Sequence, residues 1–121
     1  LMAEFTHSTG YFRNLMEKLF VYGTLQDSHV QHSLLGREIL GQTDSLQGYS
    51  INFVLLPPYP VAMPDDNGQI DGQILDLSTD ELEKLDDYEG EGYLRIRVWL
   101  KSGQETWVYI GNPAYYPDEI L

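Results

Sequence analysis

The sequence predicts an α+β domain: a small mixed, mostly antiparallel β-barrel with two or so short helices. Residues Tyr93 to Leu100 put Leu94, Ile96, Val98 and Leu100 on one face and Tyr93, Arg95, Arg97 and Trp99 on the other, the period of a half-buried strand. Turn signals at Asp65-Asp66-Asn67-Gly68 and Ser102-Gly103 separate short apolar runs, as in a chain of antiparallel hairpins. Ser78-Thr79-Asp80-Glu81 is a capping box, in which Ser78 bonds the amide of Glu81 while Glu81 reaches back, so a helix opens there.

Leu1 to Asn14 show no clear period, and Met16 stands just before the first convincing strand. Residues 1–15 are therefore expected to be a disordered arm or an added extension, and residues 16–121 a single domain. Lys18 to Tyr22 is a compact apolar and aromatic run ended by Gly23, which reads as a buried strand entering a tight loop. Asp27 or Ser28 can cap a short helix over His29 to Leu35, closed by Gly36. Glu38 to Thr43 and Tyr49 to Leu55 read as two further strands. The Pro57-Pro58-Tyr59-Pro60 cluster then breaks regular structure. Tyr59 to Met63 looks extended, and Asn67-Gly68 supplies the positive φ angles of a type I′ turn, with Gln69 to Leu77 returning. The helix from Ser78 runs to about Tyr88 or Glu89 and ends at Gly90 or Gly92. After Tyr93 to Leu100 the chain turns at Ser102-Gly103 and returns over Glu105 to Ile110. Gly111-Asn112-Pro113 stops it, and a tail follows, packed by Tyr115 and Tyr116. The count is six or seven strands.

A chain of 121 residues fits one domain that can bury its own core. Seven basic and nineteen acidic residues give a formal charge of −12, which disfavours nucleic acid and anionic membrane surfaces as partners. There is no cysteine, hence no disulfide framework and no thiolate metal site. No apolar run has the length of a membrane span, and no basic segment precedes an apolar one in the manner of a secretory signal. A cytoplasmic protein is expected, monomeric or a small homo-oligomer.

Glu89 is the first candidate for chemistry. It follows Leu85 by four residues and Leu82 by seven, so helical spacing puts it on their face. An acid on a core-facing stripe is desolvated, its pKa rises, and a raised carboxylate suits a general base near neutral pH. Eleven of the nineteen acids lie between Asp65 and Glu91, and their repulsion is expected to act in the same direction. The residues alone leave a second reading open: a frayed helix end in water, or a partner for Arg95 or Arg97. Tyr22-Gly23-Thr24-Leu25 is the second candidate, a strand end whose loop exposes backbone N–H groups able to hold a carboxylate without a basic side chain. An ordinary strand-to-loop turn, with Gly23 in an unusual conformation, fits the same residues. His29 and His32 lie three apart but lack a convincing third ligand, so an exposed helix surface is expected and no metal site. Tyr59-Pro60 invites a cis reading, although most such bonds are trans. Arg95 and Arg97 read as ion-paired residues on the outer face of their strand.

In order and spacing, these segments resemble the γ-glutamylcyclotransferase-like family, which includes γ-glutamylamine cyclotransferases and AIG2-like proteins. The resemblance rests on Val21-Tyr22-Gly23-Thr24-Leu25, Tyr59-Pro60 and Gly72-Gln73-Ile74-Leu75. It is sharpest at Leu85-Asp86-Asp87-Tyr88-Glu89-Gly90, followed by Tyr93 and Arg95, and Trp107-Val108-Tyr109 matches the late strand. It runs from about Leu19 to Ile110. The resemblance implies a small mixed α+β barrel with a cavity, and release of 5-oxoproline from a γ-glutamyl amine or peptide without metal or organic cofactor. It implies Glu89 as the catalytic acid/base and Tyr22, Gly23, Thr24 and Leu25 as the substrate loop, with Tyr93 and Tyr109 near the cavity. The Glu91-Gly92 insert before Tyr93 departs from the pattern on the leaving-group side. A non-catalytic small-molecule-binding module that keeps the cavity would share every one of these motifs.

Overall fold

The computed structural model describes residues 16–116. The expectation for residues 1–15 lies outside them, as does the end of the tail. The described chain forms β1 (Met16–Val21), a 3-10 turn (Thr24–Gln26), α1 (Ser28–Leu35), β2 (Gln42–Leu56), β3 (Tyr59–Ser78), α2 (Thr79–Glu89), β4 (Tyr93–Trp99) and β5 (Glu105–Gly111). The strands make one sheet in the order β2-β3-β1-β5-β4. All neighbours are antiparallel except β1 and β5, which run parallel with Leu19 opposite Trp107. The fold is thus α+β, with a curled sheet in the form of a half-barrel.

β1 is the middle strand, flanked by β3 and β5, which is why it reads as an unbroken apolar run: Leu19, Phe20 and Val21 are all buried. One core cluster joins Leu19, Val21 and Leu75 to Leu82 and Leu85 of α2, with Val30 and Leu34 of α1 packed alongside. A second, on the inside of the curl, joins Phe20, Leu46, Ile70 and Ile74 to Val108 and Ile110. Side chains buried to this extent contribute about 1.5–3 kcal/mol each relative to exposure.

Both helices end as their residues dictate. Asp27 accepts from the amides of His29 and Val30 at the start of α1, and Gly36 closes it in the left-handed conformation at φ 75°. The capping box of α2 is complete, with Ser78 Oγ accepting from the Glu81 amide (3.1 Å) and Glu81 accepting from the Ser78 amide (2.9 Å). Gly90 follows α2, also at positive φ.

The strand count differs from the six or seven expected, because two pairs of expected strands are single long ones. Glu38 to Gly41 is irregular, and β2 then runs without interruption from Gln42 through Gly48 to Leu56. The expected Asn67-Gly68 hairpin turn is absent. Neither residue has a positive φ, and β3 passes straight through them, paired with β2 on both sides. Gly68 serves close approach instead: a Cβ there would lie 2.4 Å from the Tyr49 carbonyl oxygen. The real β2–β3 turn is at Pro57-Pro58, joined by a cis bond, whereas Tyr59-Pro60 is trans. Register shifts at Gln47/Tyr49 and Asn52/Leu56 bend the long hairpin. Its near half pairs with β1 over Gln73–Ser78, and its far half curls over the end of β5, where a Cβ on Gly111 would meet Val61 and Met63 at 2.8 Å. At the other end the Lys101 amide donates to the Ser45 carbonyl (2.9 Å) and Ser102 bonds Asp44, drawing the β4–β5 turn to β2. Tyr116 of the tail is buried against Val61 and Met63, while Tyr115 stands half-exposed and meets it edge-on. Among the described residues no helix is long and apolar enough to cross a membrane.

Candidate active site

Sheet direction brings the candidate residues to one end. β1 and β5 are parallel, so the end of β1 and Tyr109 of β5 lie at similar height. β4 runs antiparallel to β5 and pairs Arg95 with Tyr109, so Tyr93 at its start lies at that end too. α2 closes only a few residues earlier, which delivers Glu89 to the same place. The start of β3, Tyr59 and Pro60, arrives by the curl of the hairpin. These elements enclose a cavity of about 240 Å³ lined by Tyr22, Gly23, Thr24, Leu25, Glu89, Tyr93 and Tyr109, together with Phe20, Val21, Leu56, Tyr59, Pro60 and Tyr88. All seven residues singled out from the sequence therefore line one hollow.

Glu89 lies on the Leu82–Leu85 face of its helix and is half-buried. Among the described residues its carboxylate makes no hydrogen bond or ion pair. Burial pushes its pKa up to about 7. Desolvation is the whole of that effect; the acidic crowding expected from the sequence does not contribute to it. Glu81, in the same helix, moves the other way, held down first by its hydrogen bonds from Arg37 at 2.7 and 2.8 Å. The arginines are committed elsewhere, so the reading that pairs Glu89 with one of them fails. Arg95 is bidentate to Asp86 (2.7 and 2.9 Å), and Arg97 reaches Glu105 (3.3 Å). Both guanidinium groups stack on Trp107, at 4.2 and 4.8 Å.

The three tyrosines are fixed by their hydroxyls. Tyr22 donates to the Tyr109 carbonyl (2.6 Å) and accepts from the Ala62 amide (3.0 Å), tying β1 to β5 and β3. Tyr93 donates to the Pro60 carbonyl (2.7 Å), and Tyr109 donates to Asp86 Oδ1 (2.7 Å). Burial, with smaller contributions from Glu89 nearby, raises all three pKa values, so the phenols stay neutral. Asp86 thus links Arg95 to the cavity wall, a network the sequence reading missed although Asp86 and Tyr109 were both in the motifs it used.

Gly23 precedes the 3-10 turn with a negative φ of −124°, so it is not there for a left-handed conformation. A Cβ on it would lie 3.0 Å from Pro60 Cγ, and that close approach is its structural reason. The Gly23 carbonyl accepts from the Gln26 amide (3.1 Å) and that of Thr24 from the Asp27 amide (2.9 Å). The amides of Thr24 and Leu25 open the turn and have no acceptor within it. Gln31, buried at 1% exposure, holds the loop from behind: its side chain donates to the Leu25 carbonyl (2.8 Å) and accepts from the Ile39 amide (2.8 Å). A polar residue in an amphipathic helix gave no signal of that role. His29 and His32 are exposed on α1. Among the described residues no group of three or more His, Asp or Glu is placed to hold a metal ion.

The family model described as "Gamma-glutamyl cyclotransferase, AIG2-like" matches residues 19–120. The chain belongs to this AIG2-like γ-glutamyl cyclotransferase family. Within it, the chain is 36% identical over 107 residues to AIG2-like protein A of Arabidopsis thaliana, covering 80% of this chain and 64% of that protein. It is 36% identical over 86 residues to AIG2-like protein B of the same plant, covering 69% of this chain and 49% of that one. The chain thus spans about half to two thirds of the length of these relatives. An Arabidopsis protein known by its solution structure superposes with a TM-score of 0.73 at 26% identity, over 88% of this chain and 74% of that one. A structure titled "Gamma-glutamyl cyclotransferase" superposes with a TM-score of 0.68 over 81% of this chain and 68% of that one. At 16% identity, that match shows a shared fold.

Proposed function

We propose that this AIG2-like chain is a cyclotransferase that releases 5-oxoproline from a γ-glutamyl amine or peptide, with Glu89 as general acid/base. One observation carries the reading. A desolvated, uncommitted carboxylate and an amide-bearing loop line the same small cavity. In the proposed reaction the loop amides over Gly23 to Leu25 hold the α-carboxylate of the glutamyl group, which needs no basic side chain. Glu89 takes a proton from the α-ammonium. The freed amine attacks the γ-carbonyl carbon, forming the lactam C–N bond. Glu89 passes the first proton to the leaving nitrogen, whose bond to carbon breaks, then takes the second proton from the attacking nitrogen and gives it up to the departing amine, which leaves as an ammonium. No water is consumed, and atoms balance as one lactam and one ammonium. Nucleophile and electrophile belong to one molecule, so holding it in the reactive fold supplies much of the rate. The neutral phenols of Tyr22, Tyr93 and Tyr109 keep the wall uncharged around Glu89, which keeps its pKa near the working pH. A cytoplasmic setting and a monomer or small homo-oligomer belong to the same proposal.

The test is 5-oxoproline release from a panel of γ-glutamyl donors, by native protein and Glu89→Gln. Release by the native chain and its loss in the variant, with an unchanged circular dichroism spectrum, is the expected result. Donor binding without release would leave a binding module, and unchanged turnover in the variant would remove Glu89 from the reaction.

A further inference from the structure

We propose that the leaving-group side of this cavity selects apolar, preferably aromatic, amines and rejects leaving groups that carry a carboxylate. The inference rests on the reading of the cavity as a cyclotransferase site and names its substrate class. At the loop end the wall is Gly23 to Leu25, and at the mouth it is Tyr59 and Tyr88, each 49% exposed. Leu56 and Pro60 line the cavity as well. A γ-glutamyl group held by the loop with its amine at Glu89 therefore points its γ-amide substituent toward two half-exposed rings. Tyr93 lines the same cavity, so three tyrosines contribute to its wall on this side. Aromatic side chains on such a wall bind apolar groups by area and by offset or edge contacts.

Among the described residues the lining makes no such provision for a second anion, and Glu89 is its one charged residue. Of the nearby cations, Arg95 is clamped on Asp86 and stacked on Trp107 in an adjoining groove, and Arg97 is engaged with Glu105. Lys84 stands one helical turn before Tyr88 but outside the lining. The surrounding charge of −12 repels a carboxylate further. One anion, the α-carboxylate, is met by amides; among the described lining residues a second meets aromatic rings, neutral hydroxyls and a carboxylate, and no cation.

The test is a matched set of donors: γ-glutamyl-phenethylamine, γ-glutamyl-phenylalanine and γ-glutamyl-methylamine, assayed by 5-oxoproline release. The first two differ only in the carboxylate, and the first and third only in the benzyl group. The expected kcat/KM for the phenethylamine donor is about tenfold or more above both others. Tyr88→Ala and Tyr59→Ala, with melting temperatures recorded to confirm folding, shrink the phenethylamine-to-methylamine ratio toward one. Equal or faster turnover of the phenylalanine donor overturns the proposal, most directly if Arg95→Met then removes that advantage. A ratio unmoved by both tyrosine variants also overturns it. 5-Oxoproline release without aromatic preference defeats this inference alone; no release from any donor defeats it together with the cyclotransferase reading.

Discussion

Glu89 carries opposite consequences for activity and stability. Its carboxyl has a pKa of about 7 in the folded chain against an ordinary 4.5. Below about 4.5 it is protonated in both states and costs nothing. Between about 4.5 and 7 the unfolded chain has released the proton while the folded chain still holds it, so stability falls as pH rises through that window. Above about 7 the full cost is present. Glu89→Gln removes it, and the variant is expected to be about 1–2 kcal/mol more stable than native at pH 8, after discounting for the partly solvated carboxylate. At pH 4 the two should melt together. Urea unfolding at both pH values reads this out, and a variant less stable at pH 8 would contradict a desolvated acid. Activity runs the other way. kcat/KM of the native chain is expected to rise with pH through an apparent pKa near 7, and Glu89→Gln to lower it by about 100- to 10,000-fold. A flat profile from pH 5 to 8 would argue against a carboxylate base. Helical spacing placed Glu89 on the face of Leu85 and Leu82 but left open an exposed helix end, and it was the family resemblance that singled it out. The bonds from Tyr22, Tyr93 and Tyr109 to partners 23 to 87 residues away were not legible, because they join elements whose neighbours local sequence does not name.

Among the elements, the loop depends on a helix packed behind it. Gln31 of α1 bonds both the Leu25 carbonyl and the Ile39 amide from a buried position. Replacing it with Leu leaves both backbone groups unpaired, an expected cost of about 2–4 kcal/mol at an exposure of 1%. The urea midpoint should fall, and KM for a γ-glutamyl donor should rise more than kcat falls if, as proposed, the loop holds the substrate. Equal stability would mean that water replaces the amide. Helix termini were readable because capping is local: Asp27, Gly36, Ser78, Glu81 and Gly90 each act within one turn. The Asn67-Gly68 dipeptide misled for a complementary reason. Its turn propensity is real, but a glycine that lets β2 and β3 backbones approach looks the same in sequence as one that reverses the chain. Pro57-Pro58, read only as a breaker, holds the reversal. The mistake changed the strand count but not the fold class, since either turn yields antiparallel neighbours.

For the whole molecule the governing quantity is charge. With nineteen acids and seven bases, complete pairing would still leave twelve negative charges uncompensated. Among the described residues, the pairs Lys18–Asp76 and Arg97–Glu105 lie at the surface with both side chains well solvated. Each is worth about 0–1 kcal/mol, and salt weakens it. Salt also screens repulsion among all the acids, including the eleven crowded between Asp65 and Glu91. The screening length shrinks from about 30 Å at 0.01 M to about 10 Å at 0.1 M, so repulsions across the curled sheet fade while contacts at bonding distance persist. Repulsion outnumbers attraction, so the melting temperature at pH 7.5 should rise with sodium chloride between these concentrations. Most of the gain should come before the screening length falls below the spacing of neighbouring carboxylates. A melting temperature that drops over that range would show that the few ion pairs, and not the surplus of acids, dominate the electrostatics of the fold.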